Sequence, residues 1–332
     1  MESVLVTGGS GFIGSHTVRA LAERGNRVII YDVVPPRDGR EWLLEPVRDR
    51  VEFVEGQIID MPTLISTVKA FDVRKVCHLA AIFRPLLEMK QPYHTFRVAE
   101  EGTINVLEAA RITDLERVVF ASTEGVYGPT QYEPLDEKHP TCPSEPYSVS
   151  KRAGELWGMS YYTHNKVDFV ALRPTAVYGF GRRSPGGYAK LMVENAAEGI
   201  PKTYSAEDLR RLGGRPIEYY METTYVYVKD VAHANLLALD AENAKLKSRI
   251  YNIGSGEQTH LSELAETVEE VSGIKVKLAH DLSAAKNIPS RPRVSIELAR
   301  KELGYVPRYG LRGGVADYMK DYRAYLRQKE SK

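Results

Sequence analysis

Residues 4–14, Val4-Leu5-Val6-Thr7-Gly8-Gly9-Ser10-Gly11-Phe12-Ile13-Gly14, join an apolar run to glycines at 8, 11 and 14. A strand that turns on Gly8 and Gly11 and enters a helix at Gly14 brings its backbone close enough to touch a pyrophosphate; side chains at these positions would hold the phosphates away. The following helix aims unpaired N–H groups and the positive end of its dipole at the same point. Glycine-rich turns also occur in ordinary loops, so the flanks decide the reading. Residues 15–24 set Val18, Leu21 and Ala22 on one face and Arg19, Glu23 and Arg24 on the other, which predicts a helix stopped by Gly25-Asn26. Arg27–Tyr31 predicts the next strand, and Asp32 ends it eighteen residues beyond Gly14. A carboxylate there accepts both hydroxyls of an adenosine ribose and repels a 2′-phosphate, which favours NAD over NADP.

Outward from this unit the chain alternates. Val51–Val54, Lys75–Leu79, Arg117–Ala121 and Val167–Leu172 have strand patterns, while Met61–Phe71, residues 95–111 and a segment opened by Ser144 or Pro146 have helical ones. Such alternation predicts an α/β protein built on a Rossmann-type, doubly wound parallel sheet. Between the second and third strands, Val33–Arg50 reads as a loop lying beside the adenosine, with Pro35-Pro36 and Asp38-Gly39 as its turn signals. Gln57 is expected at the adenine edge and Ile58 at its face. The small residues of Leu79-Ala80-Ala81 let a cofactor lie against the strand end.

After Leu172 the alternation loosens. Tyr225–Val228, Ile250–Ile253 and Lys275–Leu278 read as strands, Lys229–Asp240, Leu261–Val271 and Gly314–Arg327 as helices, and Phe180–Gly187 and Ser205–Arg215 as loops or short helices over a site. Tyr318, Tyr322 and Tyr325, at helical spacing in the last helix, are expected to pack in a core or interface. These patterns place a cofactor domain at 1–172, with a later return near 225–253, and a smaller α/β substrate lobe at 173–330.

Composition narrows the partners. The 332 residues are 43% apolar, and 45 Lys and Arg balance 44 Asp and Glu, so no bulk charge points to nucleic acid or anionic lipid. A small-molecule substrate fits. Two cysteines, Cys77 in a strand pattern and Cys142 in a loop, provide neither a disulfide framework nor metal-ligand spacing, and a reducing cytoplasm is the expected location. No apolar run approaches the eighteen residues of a membrane span, and a strand beginning almost at Met1 leaves no room for a signal peptide.

Tyr147-Ser148-Val149-Ser150-Lys151 sets a phenol and an ammonium four residues apart, on one face of a helix. A free tyrosine has a pKa of about 10, so its use as a base near neutrality needs about three units of depression. A lysine ammonium and a nicotinamide cation together supply most of that. The spacing is common among surface residues; downstream of a dinucleotide turn it becomes chemistry.

With these residues the chain resembles the extended short-chain dehydrogenase/reductases, the family of nucleotide-sugar epimerases and dehydratases. The resemblance runs through Thr7–Gly14, Asp32, Leu79-Ala80-Ala81, Ser122-Thr123 followed by Val126-Tyr127-Gly128, Tyr147 with Lys151, Arg173-Pro174, Val226–Asp230 and Tyr251-Asn252-Ile253-Gly254. It implies a tightly held NAD contacted by Gly8, Gly11, Phe12, Ile13, Gly14 and Asp32, by Gln57, Ile58, Leu79, Ala80 and Ala81, and by Tyr147, Lys151 and Pro174. It also implies that Tyr147 is the base or acid on a substrate hydroxyl, that Lys151 bonds the ribose and lowers the Tyr147 pKa, and that Thr123 orients the reacting hydroxyl, with Ser122 as the fallback. Helices 95–111 and 147–165 would pair with their twofold mates in a homodimer, and the apolar Leu156, Trp157 and Tyr161 suit either that interface or a monomer's core.

The departures from the family pattern concern the substrate. Gly125 stands where sugar-nucleotide dehydratases carry a Glu, which removes the usual base for elimination; Glu124 holds the preceding acid position, either as a substrate contact or as a loop carboxylate bonded to backbone. Ala176, Thr223, Val294 behind Arg291, and Ala99 replace residues with which many nucleotide-sugar epimerases grip their ligand. A diphosphate would be poorly paired in such a site. Arg84, Arg182 and Arg183 are the alternative anchors for a carboxylate or phosphate, if they are not solvated charges. The expected function is NAD-dependent epimerisation of a sugar or sugar acid by transient oxidation of a secondary alcohol. The alternatives are a dehydrogenase that releases NADH from a non-nucleotide polyol or sugar acid, and a non-catalytic dinucleotide sensor, which would have no need of an activated phenol.

Overall fold

The computed structural model describes residues 1–82, 90–182, 187–208, 221–283 and 291–331. Its centre is a seven-stranded, all-parallel sheet. Strands β1 (Ser3–Thr7), β2 (Arg27–Asp32), β3 (Val51–Glu55), β4 (Val73–His78), β5 (Arg117–Ala121) and β6 (Phe169–Pro174) are joined at one edge by β11 (Ile250–Ile253), in the order β11-β6-β5-β4-β1-β2-β3. The order reverses between β1 and β4, where a doubly wound sheet opens its ligand crevice. Strand side chains alternate between two cores: Val4 and Val6 pack on one face with Val28 and Ile30, and Leu5 packs on the other with Ile29, Val76 and Phe120. Both faces are covered, so the central strands tolerate apolar residues at every position.

The glycine turn behaves as its spacing predicts. Gly8 has φ +70°, and a Cβ at Gly14 would lie 2.1 Å from the Gly8 carbonyl oxygen, so the helix Phe12–Arg24 reaches the strand only because residue 14 has no side chain. That helix ends at Gly25 in the left-handed conformation. The Val33–Arg50 stretch is more ordered than a loop. Arg40–Leu44 is α-helical and Glu45–Arg50 is a 3₁₀ turn, with Leu43, Leu44 and Val47 buried. Its short apolar cluster is too brief to show helical periodicity, and burial against the first helix decides the matter. The helix expected over 95–111 starts earlier, at Pro92, and its turns at Arg97–Glu101 widen to π geometry before Gly102–Ile112 resumes as α. Pro146, in the first turn, opens the long helix Pro146–Asn165.

The remaining strands are short and paired in twos. β7 (Ala176–Tyr178) pairs with β10 (Tyr225–Tyr227), β8 (Lys202–Tyr204) with β13 (Val276–Leu278), and β9 (Glu222–Thr223) with β12 (Thr259–His260). Helices Tyr188–Ala197, Leu261–Ser272 and Leu311–Glu330 pack against one another over them. Tyr318 is fully buried and donates to Glu194 at 2.8 Å, and Tyr325 packs on Trp42 and Phe180, so the tyrosine stripe of the last helix is core. Among the described residues, no helix is long and apolar enough to cross a membrane.

Candidate active site

The C-terminal ends of β1, β2, β4, β5 and β6 open into a cleft of about 1200 Å³. A pocket for one drug-sized ligand runs to about 1000 Å³, so this cleft has room for a dinucleotide and a substrate together. Gly8, Gly11, Phe12, Ile13, Gly14, Asp32, Gln57, Ile58, Leu79, Ala80, Ala81, Ser122, Thr123, Glu124, Tyr147, Lys151, Pro174, Ala176 and Arg182 all line it. Arg84 and Arg183 lie outside the described residues.

At one end the turn is shaped for a phosphate. A Cβ at Gly8 would meet the Ala80 backbone at 2.7 Å, and Gly11 caps the first helix without any side-chain hydrogen bond, leaving its first N–H groups to face the cleft. The buried Ser10 hydroxyl has no partner among the described residues. Asp32 accepts from the Ser10 N–H at 3.0 Å and from the Val33 N–H at 2.8 Å, and burial raises its pKa against those bonds. A carboxylate held this way is fixed in direction. These features, a backbone cradle, an unpartnered hydroxyl and an oriented carboxylate, fit a dinucleotide.

Beneath the turn is a residue that sequence reasoning passed over. His78 ends β4 in register with Thr7 on β1, and burial pushes its imidazole down to about 3. The Thr103 hydroxyl donates to the Ala99 carbonyl at 2.5 Å and so accepts from His78 Nε2 at 3.0 Å; Nδ1, left as the acceptor of the neutral ring, takes the Thr7 hydroxyl at 2.7 Å. Thr7 Oγ1 in turn accepts the Ala80 N–H at 3.3 Å. This directed chain ties the two strand ends to the helix Gly102–Ile112. Its signal in the sequence was only a polar residue ending an apolar strand.

At the other end the helix Pro146–Asn165 presents Tyr147 and Lys151 to the cleft, with Thr123 on the loop after β5. Lys151 is almost fully buried, its Nζ 4.7 Å from the Phe120 ring centroid and 5.7 Å from that of Tyr147. Burial lowers its pKa to about 7, with the charge of Glu155 opposing the shift. Glu155, one turn further along the same helix, is fully buried. It accepts two bonds from Arg173, both at 2.7 Å, one from Arg152 at 2.9 Å and one from the Ser122 hydroxyl at 2.6 Å. The Ser122 hydroxyl is thus engaged by Glu155, while the Thr123 hydroxyl caps the next turn by accepting the Gly125 N–H at 3.2 Å. Glu155 was legible only as a further i+4 step on the Tyr147–Lys151 stripe.

A further part of the cleft lining is assembled from distant segments. Glu124 is ion-paired to Arg291, with their side chains 11% and 17% exposed. Arg291 also donates to Thr223 Oγ1 at 3.2 Å, and its backbone is held by the Glu222 carbonyl and the Gln258 side chain. A Cβ at Gly125 would lie 2.5 Å from Ser148 Oγ, so a hydroxyl occupies the space a larger residue would need. Val294 and Ala99 are buried in the core, whereas Ala176 lines the cleft on β7 beside Tyr225. Arg182 lines the cleft from the glycine-turn side, its guanidinium over the Phe12 ring and donating to the Val177 carbonyl.

Residues 4–254 match the model of the NAD dependent epimerase/dehydratase family. The UDP-glucose 4-epimerase of Mus musculus is 30% identical over 94% of each chain. The crystal structure of the Thermus thermophilus UDP-glucose 4-epimerase in complex with NAD superposes with a TM-score of 0.76 and 30% identity, covering 97% of this chain and 99% of that one. A partial-consensus L-threonine 3-dehydrogenase gives a TM-score of 0.79 at 27% identity with the same coverage. The chain therefore belongs to the NAD dependent epimerase/dehydratase family, as an NAD-dependent enzyme of the extended short-chain dehydrogenase/reductase type.

Proposed function

We propose that this enzyme is a sugar epimerase that oxidises a secondary alcohol transiently and reduces the ketone on its other face. The observation that carries this reading is the shared cleft: Tyr147 and Lys151, one helical turn apart, line the same cleft as Thr123 and the glycine turn. Bound NAD supplies a hydride acceptor that can give the hydride back. Tyr147, as phenolate, takes the hydroxyl proton while the C–H hydride departs, and returns that proton when the hydride is restored. Lys151 favours the phenolate by its positive charge, and hydrogen bonds to a ribose would hold that charge against the burial that lowers it. Thr123 donates to or accepts from the reacting oxygen and keeps the carbinol aligned. Gly8, Gly11, Phe12, Ile13 and Gly14 would seat the pyrophosphate, Asp32 the adenosine ribose, Gln57 and Ile58 the adenine, and Leu79, Ala80, Ala81 and Pro174 the nicotinamide end.

A dehydrogenase that releases NADH is the second reading, favoured by the likeness to L-threonine 3-dehydrogenase. Incubation with a panel of free sugars, nucleotide sugars and sugar acids, following NADH absorbance and product chirality together, separates the two. Inversion without NADH supports the epimerase; stoichiometric NADH overturns it. We further propose a homodimer through the helices Pro92–Phe96, Gly102–Ile112 and Pro146–Asn165, because Leu156 and Trp157 remain 56% and 46% exposed and so are not explained by a monomer's core.

A further inference from the structure

The Glu124–Arg291 pair joins the residue after Thr123 to a segment more than 160 residues away in sequence. Both side chains line the cleft and both are mostly removed from water. A carboxylate placed against a guanidinium in such a setting cancels its field at short range, and separating the two leaves an uncompensated buried charge. An anionic group arriving at Arg291 would have to displace Glu124 or add a negative charge beside it; either is unfavourable. A hydroxyl-bearing group meets no such opposition and finds charged donors and acceptors along the same wall. Thr223, which accepts from Arg291, adds a hydroxyl to that wall and no charge.

We propose that Glu124 is a specificity-determining residue: by pairing with Arg291 it masks the guanidinium, so that the site favours substrates presenting hydroxyls, not a phosphate or carboxylate, to this wall. This inference deepens the sugar-epimerase reading and rests on it for the reaction, but its central test is binding alone. UDP and uridine are titrated into the NAD-bound enzyme by calorimetry. The wild type is expected to bind UDP less than about tenfold more tightly than uridine, or to bind neither. Glu124→Gln, which keeps the shape and removes the charge, is expected to tighten UDP binding by about tenfold with uridine unchanged, and adding Arg291→Gln is expected to reverse the gain. A preference of tenfold or more for UDP in the wild type overturns the proposal, and so does UDP affinity that is unchanged or weakened in a Glu124→Gln protein that still binds NAD. The wild-type comparison stands even if the variant fails to fold. Turnover gives a second arm: in Glu124→Gln the kcat/KM ratio of a nucleotide sugar to its free sugar should rise through KM. If no sugar is turned over by any form while UDP affinity follows the expected course, the epimerase reading falls and the masking of Arg291 remains.

Discussion

The two ends of the cleft are built on different principles. The cofactor end is made largely of backbone: Gly8, Gly11 and Gly14 act by lacking side chains, the open N–H groups of the first helix come with any helix start, and Asp32 sits at the end of the next strand. All of it lies within the first 32 residues. The substrate wall is made of side chains from separate segments, at Thr123 and Glu124, Ala176, Thr223 and Arg291, and its electrostatics depend on how two of them pair. A backbone site is dictated by local spacing. A side-chain site is decided by packing.

The comparison can be broken first at the chemistry that joins the two ends. Tyr147→Phe is expected to lower kcat by about a thousandfold while NAD still binds with near wild-type affinity, since the lost hydroxyl serves the proton transfer and the ring is retained. Loss of NAD binding to the same degree would mean that Tyr147 belongs to the cofactor end. Next in size is Glu155→Gln, which leaves Arg173 buried without its counter-charge; denaturant unfolding should show a loss of about 3 kcal/mol, and pairing it with Arg173→Met should recover much of that. Recovery would make the network a structural support for the Ser122–Thr123 corner.

A smaller effect sharpens the backbone argument. Gly14→Ala forces a methyl against the Gly8 carbonyl, and a loss of about 1–3 kcal/mol in stability is expected together with weakened NAD binding, whereas Gly25→Ala, where no atom lies within 4 Å, should cost stability without affecting NAD. Equal effects on NAD binding would remove the special status of the turn.

An effect spread over several pH units concerns Lys151. Its folded pKa is about 7 against an ordinary 10.5, so between those values the unfolded chain binds more protons than the folded one. Stability of the cofactor-free enzyme should therefore rise with pH across that window, by at most about 1.4 kcal/mol per pH unit, and the burial penalty should be fully present below pH 7. Lys151→Met should remove this slope in unfolding curves measured from pH 7 to 10. An unchanged slope would show that another group carries the titration.

The alternation of strand and helix and the glycine turn with Asp32 determined the fold class and the cofactor from sequence alone, because each depends on periodicity or on spacing within a few turns of chain, while the family was legible as a resemblance in motifs that run from Thr7 to Gly254. Lys151 and Tyr147 share a helix face whatever surrounds them. The pairing of Glu124 with Arg291, the engagement of Ser122 by Glu155, the neutral tautomer of His78 and the helical turn at Arg40–Leu44 were decided only by tertiary structure. In each case the deciding partner is distant in sequence or the segment is too short to show a period. Burial there, and not local propensity, sets which polar group meets which, because an unpaired buried charge or donor costs more than any local preference supplies.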